Sequence, residues 1–357
     1  MKLFTVGPVQ MLSEIKRVGG AQVPYFRTKE FSEMMLAADS LLRKFMNAPS
    51  GAKSVYLTAS GTGAMEATIM NCLRPDDHVL IINGGTFGHR FVDLCEIHKI
   101  SFITIDLVFG EQLTKSHLEK YKNSGITAVL VNANETSTGQ LYDLSMISGF
   151  CKEQKAILIV DAISSFLIDP FDMKENNIDA VIISSQKGLC IAPGLSIVVL
   201  SEGMIQERVV HSNVESLYFR FTDYLKNMER GQTPYTPCVG VCIEMYEALR
   251  LIKEQGLPNW LNHIDEVAKD FRMKAQVLPV SIPDYPLGNA VTPIRFDEPI
   301  AKKVFEILKN QYDVFVNPTG GVLKNYLLRV AHIGDTTIED NKMLIDLLRK
   351  AIKEAKS

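Results

Sequence analysis

The chain has 357 residues, of which 46% are hydrophobic and 22% charged, and its formal net charge is −3. This composition is typical of a globular protein large enough for two domains. It argues against a nucleic-acid binder, which would present a basic surface. No apolar stretch approaches the roughly 20 residues of a membrane span, and the short N-terminal apolar run is broken by Gly7-Pro8, unlike a signal peptide. We therefore expect neither a nucleic-acid nor a membrane partner.

The six cysteines and seven histidines show no metal-binding spacing. There is no CxxC, HxxxH or HExxH pair, and Cys238 and Cys242 lack a second pair of ligands, so we expect no metal site. Most cysteines fall in apolar stretches, which is typical of buried free thiols in a reducing compartment. We therefore expect a cytoplasmic protein.

Helical patterns and strand-like runs alternate through the first two thirds of the chain. Helical spacing of apolar residues predicts helices over 31–47, 62–73, 89–99, 114–122 and 143–154. Short β-branched runs predict strands at 79–82, 102–105, 128–131, 157–160, 180–183 and 197–200. This alternation predicts an α/β fold with a mostly parallel sheet and helices on both faces.

The pattern changes after about residue 238. A helical stretch that continues beyond Gly256, two shorter strands and a last helix are predicted over 239–255, 291–296, 326–330 and 337–353. We expect a large α/β domain over 16–255. A smaller α+β domain over 256–357 would also include the N-terminal segment 1–15.

Two strands of this sheet end in residues that one cofactor needs together. The run 157–160 ends at Asp161, and the run 180–183 leads through Ser-Ser-Gln to Lys187. Ligands of α/β proteins bind at the carboxyl ends of parallel strands. Pyridoxal phosphate (PLP) requires an amine for its aldehyde and an acid for its ring nitrogen. A turn aspartate or a surface lysine is common alone, but their joint occurrence favours this cofactor.

Further segments carry groups that suit the same cofactor. The turn 60–64 (Ser-Gly-Thr-Gly-Ala) precedes a helix, where backbone N–H groups and the helix dipole attract phosphate; alone, a capped glycine turn is the better interpretation. Phe87 is placed to stack on a flat ring, although a loop aromatic that covers the core is the simpler reading. The polar segments 132–139 and 231–237 offer hydrogen-bonding groups, or serve as a connection and a proline-stiffened linker.

Arg329 lies within the apolar, strand-like run 326–331. A buried arginine needs an anionic partner. A substrate carboxylate held by two parallel hydrogen bonds is one candidate, and a structural ion pair with an aspartate or glutamate has about equal weight.

With these motifs the chain resembles the class V aminotransferases, which are PLP enzymes of fold type I. It looks most like the subgroup of alanine–glyoxylate, serine–glyoxylate and 2-aminoethylphosphonate–pyruvate aminotransferases. The resemblance runs nearly end to end, with one departure: Val330-Ala331 stands where the family often has Ile-Gly. It implies substrate contacts for Gly7 and Arg329, catalytic roles for Lys187 and Asp161, and cofactor contacts for Ser60, Gly61, Thr62, Gly63, Ala64, Phe87, Thr136, Asp161, Gln186, Lys187, Thr233 and Thr236.

The resemblance also implies a homodimer with shared active sites, in which Thr233 and Thr236 reach the phosphate in the partner subunit. The related cysteine desulfurases use histidines at the positions of Phe87 and Gln186. They also need a cysteine in the C-terminal domain, and none follows Cys242. Desulfuration is therefore disfavoured.

Residues and resemblance together predict a PLP-dependent aminotransferase acting between a small amino donor and a small 2-oxo acid, pyruvate or glyoxylate. The favoured narrower pair is 2-aminoethylphosphonate with pyruvate, on overall resemblance that includes the segment 26–31. Alanine or serine with glyoxylate is the rival. A PLP-dependent β-lyase would use the same residues. A non-catalytic PLP-binding protein is disfavoured because every expected catalytic position is filled.

Overall fold

A computed structural model describes residues 1–357, and its centre is a seven-stranded sheet. In spatial order the strands are β2 (Lys53–Leu57), β10 (Ser196–Leu200), β9 (Ala180–Ser184), β8 (Ile157–Asp161), β5 (Ala128–Asn132), β3 (His78–Asn83) and β4 (Ser101–Asp106). Only β10 runs antiparallel to its neighbours. The carboxyl ends of β2, β3, β5, β8 and β9 therefore meet at one edge, where parallel sheets bind ligands.

Alternate residues of the central strands enter two hydrophobic cores, one on each face of the sheet. In β5, Val129 and Val131 belong to a core of 52 buried residues, whereas Ala128 and Leu130 belong to a second core of 27. Strands buried on both faces are continuous apolar runs. The helices of this part are α1 (Ser13–Gly19), α2 (Lys29–Phe45), α3 (Gly61–Cys72), α4 (Thr86–Ile97), α5 (Lys115–Glu119), α6 (Leu144–Gln154), α7 (Glu202–Glu207), α8 (Phe221–Met228) and α9 (Val239–Gln255).

A second, four-stranded sheet brings together the two ends of the chain. Its spatial order is β1 (Lys2–Phe4), β12 (Val314–Pro318), β13 (Leu327–Ala331) and β11 (Val291–Arg295), and β1 is parallel to β12. A third core of 21 buried residues is formed by this sheet and its helices. These helices are α10 (Leu257–Ala275), α11 (Ala301–Tyr312) and α12 (Ile338–Lys356). A short antiparallel pair, β6 (Asn134–Glu135) and β7 (Gln140–Leu141), follows β5.

The α/β class and the mostly parallel sheet with helices on both faces are confirmed, and each of the eight predicted strands lies within one or two residues of an observed one. The sequence patterns missed β1, β2, β6, β7 and β12 and the helices α1, α7, α8 and α11. Gly256 separates α9 from α10, and the division into domains at 255/256 stays a prediction. None of the helices is both long and apolar enough to cross a membrane.

Candidate active site

Lys187 lies in the loop after β9, with its side chain almost fully enclosed. It is 7% exposed, and its Nζ lies 5.9 Å from the centroid of the Phe87 ring. Gly7, in the loop after β1, packs against the same side chain, because a β-carbon at this position would lie 2.8 Å from Lys187 Cε. Burial, reinforced by the positive charge of Arg329, lowers the pKa of Lys187 to about 8. The amine therefore stays mostly protonated at neutral pH, but its neutral fraction, the form that nucleophilic attack requires, is far larger than in a free lysine.

Asp161 closes β8, beside β9, and stands opposite Ile182 in the parallel register. Its Oδ1 accepts a hydrogen bond of 2.8 Å from the Ile163 amide, and its Oδ2 has no partner within the chain. Burial raises the pKa of Asp161 to about 7, and the nearby charge of Glu135 adds to this effect. A buried carboxylate with one free oxygen is a ready acceptor for a protonated ring nitrogen.

The turn after β2 forms the N-terminus of α3. Ser60 is the N-cap and accepts a long hydrogen bond (3.4 Å) from the Gly63 amide, while Thr62 and the buried Ala64 lie in the first helical turn. At Gly61 any side chain would collide with Ile163, from the loop after Asp161. The glycine thus lets a helix N-terminus, with its free N–H groups, approach the Asp161 loop closely.

Phe87 lies in the first turn of α4, directly after β3. The guanidinium of Arg90, one helical turn later, lies 5.1 Å from the centroid of the Phe87 ring. Arg90 also donates a hydrogen bond of 2.9 Å to the hydroxyl of Thr62 in the turn after β2. The side chain of Arg90 therefore links the aromatic residue to the glycine-rich helix start.

Thr136 follows β6 and is buried. Its hydroxyl donates a hydrogen bond of 2.6 Å to Ser164, and its carbonyl accepts one of 3.1 Å from Arg329 Nη1. Gln186, the residue before Lys187, accepts a hydrogen bond of 2.7 Å from Ser184. The Thr136–Ser164 bond joins the loops after β6 and β8, and the Arg329 bond ties the first of these loops to β13, whereas the Gln186 bond is local to the end of β9.

Arg329 lies on β13, and its guanidinium is bound by backbone carbonyls alone. Besides the bond to Thr136, its Nη2 donates to the Pro318 carbonyl at 2.8 Å. Its Nε is buried without a partner, and no carboxylate lies within salt-bridge distance. The ion pair that the sequence left open as an alternative is therefore absent. The guanidinium retains the capacity to bind an anion.

Thr233 and Thr236 are the predicted site residues that the structure does not bring to Lys187. The buried Thr233 hydroxyl donates to the Tyr235 carbonyl at 2.6 Å, within its own loop. Thr236 is exposed. The backbone of this loop is held by Arg27, which donates to the Thr233 carbonyl at 2.8 Å. Neither hydroxyl bonds to the Lys187 group within one chain.

The model of the class V aminotransferase family matches residues 20–286. The chain belongs to this family. It is a PLP-dependent transaminase, whose substrates are a small amino donor and a 2-oxo acid.

Several relatives can be aligned with this aminotransferase over most of the length of both chains. An uncharacterized aminotransferase of Methanocaldococcus jannaschii is 29% identical over 99% of this chain and 92% of the relative. The L-aspartate–glyoxylate aminotransferase of Paracoccus denitrificans is 27% identical over 94% and 87%. A protein of Anabaena cylindrica named as a 42 kDa soluble hydrogenase subunit is 30% identical over 88% and 83%. That name describes the Anabaena protein alone. The matching family model describes aminotransferases, and the other two relatives are named as aminotransferases.

The crystal structure of an alanine–glyoxylate aminotransferase from Nostoc sp. superposes with a TM-score of 0.91 at 25% identity. The match covers 98% of this chain and 94% of that one. It supports the fold type I architecture predicted from the sequence.

The residues present fit PLP. The free Oδ2 of Asp161, the partly neutral amine of Lys187 and the open helix N-terminus at Gly61 offer an acceptor, a nucleophile and an anion site to one ligand. When bound, the cofactor supplies an aldehyde carbon for the donor's amino group and a ring that withdraws electrons.

Three residues with a place in this aminotransferase site were not predicted: Arg90, Glu135 and Ser164. Arg90 stands three residues after Phe87, a spacing that puts both on one helical face, so this neighbourhood was accessible from the sequence. Glu135 lies in the polar segment 132–139, which the sequence offers only as a source of hydrogen-bonding groups. Ser164 carries no sequence signal, because only the tertiary fold brings its hydroxyl to Thr136.

Proposed function

We propose that this aminotransferase transfers the amino group of alanine or serine to glyoxylate, and that Arg329 binds the carboxylate of donor and acceptor. The observation that carries the role of Arg329 is its guanidinium, which is bound only by the carbonyls of Thr136 and Pro318 and keeps an unpartnered, buried Nε. A carboxylate that supplies two acceptor oxygens would satisfy it. Glyoxylate is named as the acceptor in relatives of this chain.

Each predicted site residue has a proposed task. Lys187 would hold the cofactor through its amine, and its Nζ would take up and return a proton as general base and acid. Asp161 would accept the hydrogen bond of the ring nitrogen, and Phe87 would lie against the ring. The turn 60–64, with Gln186, binds the phosphate, and Arg90 adds a positive charge there. Thr136 holds both the ring oxygen and the Arg329 guanidinium.

The phosphonate pair is the alternative substrate assignment. Its support is overall resemblance, including the segment 26–31, where Thr28 caps α2 and Arg27 anchors the loop 231–237. These contacts account for the segment as architecture, so they favour no particular donor. Because a phosphonate would also suit Arg329, the choice rests on experiment.

Visible absorbance of the bound cofactor distinguishes these assignments. The enzyme loaded with PLP is mixed separately with alanine, serine, aspartate and 2-aminoethylphosphonate. We expect alanine or serine to bleach the band and glyoxylate to restore it. Bleaching by 2-aminoethylphosphonate alone, restored by pyruvate, would replace our assignment with the phosphonate pair, and keto product formed without bleaching would establish a β-lyase. The Lys187→Ala variant, which should show no turnover, is the control.

We further propose a homodimer in which Thr233 and Thr236 complete the phosphate site of the partner subunit. In support, Thr236 is exposed and the Thr233 hydroxyl serves only its own loop. Leu217, whose carbonyl accepts a hydrogen bond from Tyr235 of this loop, is 70% exposed, and such an exposed apolar side chain suits contact with a second copy.

A cytoplasmic location is also proposed. It is supported by the six free cysteines, five of which are buried.

A further inference from the structure

Glu135 is a fully buried carboxylate that accepts hydrogen bonds from the first turn of α4, from the last residue of β5 and from its own loop. It is 0% exposed. Its Oε2 accepts from the amides of Phe87 (3.2 Å) and Gly88 (2.8 Å) and from the side chain of Asn132 (3.1 Å). Its Oε1 accepts from the Ser137 amide (3.0 Å) and from the Ser137 hydroxyl. Every group that faces this carboxylate is a donor.

The Phe87 and Gly88 amides belong to the first turn of α4, where N–H groups have no helical partner and the helix dipole favours a negative charge. The chain approaches the carboxylate closely here, because a β-carbon at Gly85 would lie 2.7 Å from Glu135 Cδ. Glu135 therefore fixes the start of α4 against the loop after β5. Phe87, the proposed stacking residue, is the second residue of that helix.

We propose that Glu135 is a positioning residue, which holds Phe87 against the cofactor ring and Thr136 against the cofactor and Arg329. Thr136 is the next residue in the chain, and its carbonyl carries one of the two bonds that orient Arg329. One carboxylate thus sets the relative position of the ring-stacking group and the substrate-binding guanidinium. This inference rests on the cofactor and not on the particular substrate pair.

An isosteric amide tests the role, because Glu135→Gln keeps the volume but turns an NH2 group toward other donors. A buried NH2 group that faces other hydrogen-bond donors is unfavourable, so this variant should loosen the first turn of α4. The control is Asp179→Asn. Asp179 is also a largely enclosed carboxylate that accepts a backbone amide, from Leu158 at 2.9 Å, but it precedes β9 at the opposite edge of the sheet.

The two full-length variants and the wild type are stripped of PLP and titrated with it, while visible circular dichroism reports how the bound ring is held. We expect Glu135→Gln to raise the dissociation constant about tenfold and to weaken the dichroic band. Asp179→Asn should keep both wild-type values even where its melting temperature falls. Wild-type affinity and dichroism in Glu135→Gln would overturn the proposal.

A double-mutant cycle separates positioning from a general loss of stability. If Glu135 acts through Phe87, the effect of Glu135→Gln on the dissociation constant should shrink in a Phe87→Leu background. Additive effects would contradict the proposal. If Glu135→Gln fails to fold, Ser137→Ala replaces it in the titration and the cycle. This variant removes one donor to Glu135 and also the acceptor of the Thr86 amide at the start of α4, so a two- to threefold rise is expected, and an unchanged constant would overturn the proposal.

Discussion

Gly7 lies directly against Lys187, so a β-carbon on Gly7 would fall 2.8 Å from Cε and 2.9 Å from Cδ of the lysine. The position of Gly7 is fixed by its neighbour Val6, whose amide donates a hydrogen bond of 2.7 Å to the Asn317 side chain on β12. One wall of the lysine pocket is therefore bare backbone, held in place by the four-stranded sheet.

Gly7→Ala should displace the lysine from its reactive position. We expect at least a tenfold loss of kcat/KM, since a misplacement of about 1 Å is costly in catalysis. Gly110→Ala is the matched control, because Gly110 also has a positive φ (98°) but nothing lies within 4 Å of its added β-carbon. Both variants should lose on the order of 1–2 kcal/mol of folding free energy from backbone strain. Equal activity in the two variants would argue against the contact.

Asp161→Asn should make the cofactor-free protein more stable at neutral pH. The pKa of this carboxyl rises from 3.8 in the unfolded chain to about 7 in the fold. The unfolded state therefore binds fewer protons, and wild-type stability falls as pH rises from about 4 to about 7. Relative to wild type, we expect the variant to gain on the order of 2 kcal/mol by pH 8 and little at pH 4. Urea unfolding across this range measures it, and a pH-independent difference would contradict the assigned titration. Transaminase activity of the loaded variant should fall.

Arg329→Gln should impair substrate binding while lowering stability less than the loss of a buried ion pair does. The arginine has no carboxylate partner, so its removal breaks only its two hydrogen bonds to backbone carbonyls. We expect KM for carboxylate substrates to rise about 10- to 100-fold, the usual effect of losing charge-assisted hydrogen bonds. Arg208→Gln is the control, because Arg208 bonds to the buried Asp77 at 2.7 Å. That variant should unfold at lower denaturant while keeping the wild-type KM, and the reverse pattern would reject the substrate role.

A mixed dimer tests whether Thr236 serves the partner subunit. Chains carrying Lys187→Ala and chains carrying Thr236→Ala are given different tags and co-expressed, and the hybrid is purified. If Thr236 acts across the interface, one of the two sites contains both wild-type residues, and activity should approach half that of the wild type. If it acts within its own chain, each site carries one defect and no such recovery occurs.

The strands that carry Asp161 and Lys187 could be predicted because each is a β-branched run buried on both faces. Strand β2 was missed because it begins with Lys53 and Ser54 and offers only three further residues. The turn 60–64 could be located in the sequence, whereas its approach to Ile163 depends on how β2 and β8 are arranged in the sheet. The sequence alone predicts that these residues lie at strand ends, but it does not give the distances between them.

Glu135 could not be interpreted from the sequence because its partners are mainly backbone amides, which every residue type possesses. The packing of Gly7 on Lys187 was equally hidden. It depends on the parallel pairing of β1 with β12, two segments at opposite ends of the chain. A pairing between strands so far apart in the chain produces no periodic pattern in the amino-acid sequence of either strand.

The pairing of β1 with β12 also determines when the lysine pocket can be completed during translation. Residues 2–4 leave the ribosome long before residues 314–316, the partners with which they pair, have been made. Until then nothing holds the backbone of Gly7 over Lys187, even if the seven-stranded sheet has already formed. A nascent chain that stops short of β12 would therefore carry the lysine, the aspartate and the phosphate turn with one side of the pocket open to water. Completion of the lysine pocket therefore waits for translation of β12, and a chain that stops before it lacks this wall of the pocket.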